Sequence, residues 1–169
     1  MSNTIRFRLN SLLIALGILI VPGLYAQQAS AGGMTVSHRI TGDRVEFTLT
    51  APTQGWVGIG FNSRNSIVSS DLYLFHVVDG QTTGQDMYVK AAGDPRLDLD
   101  LGGTDDIQIV SGTEGQGKTR IVFSLPLSST DKNDFKLAPE KELWLIMAYS
   151  THDEFDHHSR MRRHVQYTL

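Results

Sequence analysis

Beyond the first thirty or so residues the chain shows no sustained 3.6-residue spacing of apolar positions. Short runs rich in β-branched and aromatic residues recur instead between clusters of Gly, Asp, Asn and Pro. This pattern predicts an all-β domain with strands at 35–40, 44–50, 56–61, 72–78, 86–90, 107–110, 120–124, 143–149 and 164–168. Val45, Phe47 and Leu49 alternate with Glu46, Thr48 and Thr50, one dry face and one wet face, which fits an outer strand. The run from Leu143 to Tyr149 is apolar on both faces, as a central strand covered on each side requires. Thr41-Gly42-Asp43, Asp79-Gly80, Gly102-Gly103 and Gly112 to Gly117 supply connections. Ser128-Ser129-Thr130-Asp131 ahead of Lys132 to Phe135 fits one capped turn of helix.

The N-terminal segment follows a different logic. Arg6 and Arg8 precede the apolar run Leu12 to Val21, and no acidic residue occurs before Asp43, which is the charge order of a secretory signal peptide. The run ends at Pro22-Gly23, short of the roughly 20 apolar residues that span a bilayer. Small residues place cleavage after Ala26 or after Ala31. Residues 1–31 are therefore expected to be a leader and residues 32–169 one domain, periplasmic or secreted, with no membrane span once the leader is gone. About 140 residues suffice for one domain with a substantial core and leave no room for a second.

Losing Arg6 and Arg8 moves the net charge from −3 to −5, because 13 basic residues then face 18 acidic ones. Such a balance argues against a nucleic-acid partner. The absence of cysteine removes disulfides, thiolate metal sites, iron–sulfur clusters and cysteine nucleophiles together. No G-x-S-x-G elbow, H-E-x-x-H helix or phosphate-cradling glycine loop is present, so a binding or electron-transfer module is expected rather than an enzyme.

One ordered set of residues carries a family resemblance. Gly55-Trp56-Val57-Gly58-Ile59-Gly60-Phe61 is followed by Ser70-Asp71, Asp79-Gly80 and Asp86-Met87-Tyr88, then by Phe123-Ser124-Leu125-Pro126-Leu127, Asp131, Asp134, Trp144, Ala148-Tyr149 and His158-Ser159-Arg160. In residues and in order this resembles a DOMON domain over most of the chain from Met34 onward. The resemblance implies an immunoglobulin-like antiparallel β-sandwich, exported, that binds haem b or sugars and serves redox partner proteins.

In cytochrome-type DOMON domains the resemblance implies a Met ligand before the Ser-Asp motif and a His ligand near the C-terminus. His158 matches the second position, and Ile67 stands where the Met would be. Isoleucine cannot bind iron, and the loop 62–70 contains no Met, His, Cys or Lys. His76 is a candidate for the second bond, although strand alternation groups it with Leu72 and Leu74, company that equally suits a packed histidine. A five-coordinate haem on His158, roofed by Ile67, and a haem-free pocket for carbohydrate or another small molecule both fit this pattern. Trp56, Phe61, Tyr73, Trp144 and Tyr149 are the candidates to stack on a sugar, and Arg160, with Arg162, Arg163 and His164, to meet propionates or an acidic partner.

Two further clusters have ligand chemistry. His152-Asp153-Glu154-Phe155-Asp156-His157-His158 offers imidazoles and carboxylates for a divalent metal, or is a solvated loop. Asp94, Asp98, Asp100, Asp105 and Asp106 lack the spacing of an EF-hand and are expected to form a solvated connection.

Overall fold

The computed structural model describes residues 27–169, so the expected leader up to Ala26 lies outside the described residues. Eleven strands occur in the order β1 (Gln28–Ala31), β2 (Met34–Thr41), β3 (Arg44–Ala51), β4 (Val57–Asn62), β5 (Asp71–Val78), β6 (Gln81–Ala91), β7 (Asp94–Leu97), β8 (Gln108–Gly115), β9 (Lys118–Pro126), β10 (Glu142–Tyr149) and β11 (Met161–Thr168). They form two antiparallel sheets, ordered β1-β2-β3-β9-β8 and β11-β10-β4-β5-β6-β7, packed as a sandwich. No helix among the described residues is long and apolar enough to cross a membrane.

All nine strands expected from the sequence are present, and the differences have physical causes. β1 and β7 lie at sheet edges, where four residues with little apolar character suffice because the neighbouring strand supplies the pairing. Pro95 is tolerated in β7 because an edge strand needs only one side of its ladder. β3 is the middle strand of its sheet rather than an outer one. Its alternation reports one solvated sheet face, which a central antiparallel strand shows as readily as an edge. Gly112 and Gly115 lie within β8, and the turn narrows to Gln116-Gly117. Residues 128–135 form bends instead of a helical turn, and the single short 3-10 turn among the described residues is Asp98–Leu101.

β1 bears on processing. It pairs along its whole length with β2, Ala29 is buried, and Tyr167 donates its hydroxyl to the Gln27 carbonyl at 2.9 Å. Cleavage after Ala31 would delete this strand, whereas cleavage after Ala26 would leave it intact.

Between the sheets, aromatic rings interlock. Phe123 of β9 lies 4.4 Å from Phe75 and 5.6 Å from Phe47, and Phe47 lies 5.2 Å from Phe61, with all four rings fully buried. The six-stranded sheet also has an apolar outer face. Trp56, Leu72, Leu74, Met87, Val89 and Ala148 form a second buried cluster there, packed under Ile67, Leu97 and Phe155. Side chains alternate along a strand, so Val57, Ile59 and Phe61 of β4 enter the main core while Gly58 and Gly60 face outward. A Cβ on Gly58 would lie 2.5 Å from Leu74 Cδ2, and one on Gly60 3.4 Å from the Ile146 side chain. These glycines keep the outer face of β4 bare, so Leu74 and Ile146 close over it. The Gly-Trp-Val-Gly-Ile-Gly-Phe run is thus a strand with one flattened face.

A cleft on the outer face of the six-stranded sheet

The outer apolar face is covered by two loops, residues 63–70 between β4 and β5 and residues 150–160 between β10 and β11. Between them lies a cleft of about 360 Å³. Trp56, Leu72, Leu74 and Val89 line its base, with Ile67 on the first loop, Phe155, His157 and His158 on the second, and Arg162 of β11 at its edge. Its volume is near the lower end of small-molecule sites, roughly 300–1,000 Å³.

Both loops are held by buried polar groups. Asn62 Nδ2 donates to the Ser66 carbonyl at 2.7 Å and to the Val68 carbonyl at 3.0 Å, while Ser70 Oγ donates to the Ile67 carbonyl at 2.7 Å. Ile67 is therefore presented on a fixed backbone. In the second loop, the Trp56 and Ser150 amides donate to the His152 and Trp56 carbonyls, each at 2.9 Å. Trp56 Nε1 donates to the His157 carbonyl at 3.2 Å, and Ser150 Oγ to the His158 carbonyl at 3.2 Å. Gly55 lets the strand approach this loop, because a Cβ there would collide with the backbone of Thr151 and His152.

Of the residues the sequence singled out, Trp56, Ile67 and His158 share this cleft. His158 is exposed, and among the described residues its imidazole has no hydrogen-bond partner, so no acceptor fixes the second nitrogen as one commonly does for a metal-bound histidine. His76 is not part of the cleft wall. Its Nδ1 lies 2.8 Å from the Asp153 carbonyl and its ring stacks on Phe155 at 4.4 Å, so it supports a wall residue from behind. Alternation placed His76 correctly beside Leu72 and Leu74, but that face is the cleft side of the sheet and not the main core. Arg160 is exposed and contributes its amide to the Tyr149 carbonyl, and the arginine that reaches the cleft is Arg162. Alternation cannot separate the two, because residues i and i+2 share a strand face; β11 begins at Met161, which leaves Arg160 in the loop and Arg162 on the strand.

The other expected groupings divide. Of the five aromatic side chains considered for stacking on a sugar, only Trp144 is not buried, beside a polar groove that also includes Glu142 and Gln166. His152, Glu154 and His157, all exposed, each bring one donor atom within 4.8 Å of the others, and the two imidazoles stack at 4.1 Å.

The acidic connection is solvated as expected at Asp100 and Asp105, both exposed, but not at Asp98. Asp98 is 1% exposed and lies with Asp131 and Asp134, and Asp134 also joins the buried pair Asp71 and Asp86. The grouping of Asp71, Asp86 and Asp134 leaves no local signal in the sequence, because 63 positions separate the first from the last. Burial, reinforced by neighbouring carboxylates, pushes Asp71 well above the ordinary carboxylate range, Asp86 up to about 8, Asp134 to about 7 and Asp98 to about 6. An acid whose folded pKa is raised stabilises the fold fully below its unfolded value near 3.8 and loses that contribution as pH rises through the folded value. His38 and His164, pushed down by burial, act in the opposite sense below pH 6.5. With a chelator present, melting temperature should therefore fall between about pH 6.5 and 8.5 as Asp134 and Asp86 ionise. A melting temperature that rises across this window would contradict the arrangement.

Comparison with known proteins agrees with this architecture. The DOMON domain family model matches residues 30–150. The DBH-like monooxygenase protein 1 of Mus musculus is 29% identical over 145 residues, covering 78% of this chain and 23% of that protein. The Homo sapiens protein of the same name is 26% identical over 151 residues, covering 80% of this chain and 24% of that protein. The chain thus spans about a quarter of the length of these curated relatives. Among solved structures, the cytochrome b domain of pyranose dehydrogenase from Coprinopsis cinerea superposes with a TM-score of 0.62 at 12% identity, covering 80% of this chain and 76% of that one. The cytochrome domain of cellobiose dehydrogenase from Myriococcum thermophilum gives 0.61 at 11% identity, covering 85% and 81%. At these identities the structural likeness shows the fold alone.

Proposed function

The chain belongs to the DOMON domain family, and from that premise we propose that its outer cleft binds haem b through His158, in an exported module that meets a redox partner or a small ligand and performs no chemistry of its own. The observation that carries this reading is the pairing of Ile67 and His158 across one apolar cleft, the two positions at which the family resemblance implies axial ligands. The donor set fits in part. The walls are apolar, an imidazole is available, and Arg162 offers a guanidinium to a propionate. Ile67 offers no donor, so His158 would be the side chain that holds the iron, an arrangement that would suit binding of a small ligand better than rapid electron exchange.

Absorption spectroscopy of the purified protein loaded with hemin, then reduced with dithionite, tests this reading. A stoichiometric, protein-bound Soret band with a high-spin spectrum is the expected result. Hemin that passes through a desalting column without being retained by the protein would sink it.

The histidine loop favours one second reading. His152, Glu154 and His157 form a donor set that suits zinc or copper. Zinc titration of haem-free protein separates the two, since His152→Ala, outside the cleft wall, should remove zinc binding and leave the Soret band in place.

A further inference from the structure

On the side of β5 and β6 opposite the cleft, between the two sheets, four carboxylates from distant parts of the chain converge. Asp71 opens β5, Asp86 lies on β6 across from Tyr73, Asp98 begins the 3-10 turn and Asp134 sits in the connection from β9 to β10. Asp134 brings an oxygen within 4.8 Å of oxygens of both Asp71 and Asp86, and within the same distance of Asp98 and Asp131. Asp71, Asp86 and Asp98 are each at most 3% exposed.

The hydrogen bonds around this group are one-sided. Tyr73 Oη and the Phe135 amide donate to Asp71 Oδ2, each at 2.9 Å, and the Asp106 amide donates to Asp86 Oδ2 at 3.1 Å. Asp131 accepts the Thr104 amide at 2.6 Å on Oδ2 and the Asn133 amide at 2.8 Å on Oδ1. Five carboxylate oxygens remain buried with no partner: Asp71 Oδ1, Asp86 Oδ1, both oxygens of Asp98 and Asp134 Oδ1. The two ion pairs among the described residues, Arg39 with Glu46 and Arg96 with Asp94, involve none of them. Buried charge requires a counter-charge or a proton.

We propose that Asp71, Asp86 and Asp134, whose carboxylate oxygens lie within 4.8 Å of one another, form a site for one hard divalent cation of the calcium type, flanked through Asp134 by Asp98 and Asp131. Calcium takes about six to eight oxygen ligands at roughly 2.3–2.6 Å, and carboxylates mixed with backbone carbonyls or water are its usual set. The three unpartnered oxygens Asp71 Oδ1, Asp86 Oδ1 and Asp134 Oδ1 supply the carboxylate part of that shell, and the donors on the opposite oxygens of Asp71 and Asp86 hold those two in orientation. An all-oxygen set without imidazole or thiolate disfavours zinc and copper. Ligands drawn from two strands and a connection favour calcium over magnesium, which demands a nearly ideal octahedron.

The cation would fasten the β9–β10 connection, through Asp134, to β5 and β6. Leu72 and Met87, each next in sequence to a proposed ligand, belong to the outer cluster beneath the cleft. Occupancy therefore stiffens the cleft floor from behind. The site itself does not depend on what the cleft binds.

The test uses the purified, chelator-stripped protein without hemin, so its outcome is independent of the haem reading. Calorimetric titration with calcium chloride should give a saturable isotherm, and a hundredfold excess of calcium over Kd should raise the melting temperature by about 5–10 °C, with a smaller rise for magnesium. Terbium should bind at the same place and luminesce through Tyr73. In Asp86→Asn and Asp134→Asn calcium affinity should fall by at least about tenfold, because each removes a charged donor. Their melting temperatures in chelator should stay level or rise, because each also removes a repelling charge. Absence of any calcium-dependent shift in the parent protein overturns the proposal. So do asparagine variants that respond to calcium as the parent does, or that are destabilised in chelator while the parent ignores calcium.

Discussion

Hemin-loaded protein carrying Ile67→Met should change from a high-spin to a low-spin spectrum, with sharpened α and β bands on reduction and a raised reduction potential. The Ile67 backbone is fixed by Ser70 and Asn62, so substitution alters only the group facing the cleft. Methionine is flexible, similar in volume to isoleucine and able to offer a thioether to iron. The cost in stability should stay below about 1.5 kcal/mol, as for other volume-conserving apolar exchanges. The companion variant His158→Ala should lose the bound-haem spectrum altogether, since no other imidazole is equally free in the cleft. His157 stacks on His152, and His76 lies behind Phe155. A His158→Ala protein with an unchanged Soret band would remove His158 from the site. An Ile67→Met protein that stays high-spin would show that Ile67 does not face the iron.

Phe123→Ala should destabilise the domain by about 3–5 kcal/mol, as large-to-small changes of buried aromatics do. Phe123 is fully buried and has Phe47, Tyr73 and Phe75 around it within 6.0 Å, so its removal leaves a cavity that rings from both sheets border. The chain has no cysteine, so no disulfide limits the loss. A change of this size is a large share of the roughly 5–15 kcal/mol by which domains are stable. Urea unfolding followed by tryptophan fluorescence measures it. Leu99→Ala, at a side chain 63% exposed, should stay within about 0.5 kcal/mol of the parent. A Phe123→Ala cost under about 1.5 kcal/mol would mean that the inter-sheet core is looser than the ring contacts imply.

Much of this was legible in the chain. Alternation of apolar and polar residues located β3, and the two-sided apolar run located β10, because side chains on adjacent strand positions point to opposite faces wherever the strand lies. The same alternation placed His76 with Leu72 and Leu74, while its hydrogen bond to Asp153 depends on a loop 77 residues away. Strands β1 and β7 were illegible for the complementary reason: at an edge, pairing is supplied by the neighbour and leaves little trace in composition.

The sequence by itself determined the sandwich class, most strands, the family resemblance, and the absence of a metal-binding donor at Ile67. These are local or ordered properties, readable along one dimension. Only the tertiary structure decided that Arg162 and not Arg160 reaches the cleft, that Gly58 and Gly60 flatten its floor, and that Asp134 meets Asp71 and Asp86 on one side and Asp98 on the other. Strand register and loop packing set those distances, and carboxylates far apart in the chain look solvated until a fold removes the water between them.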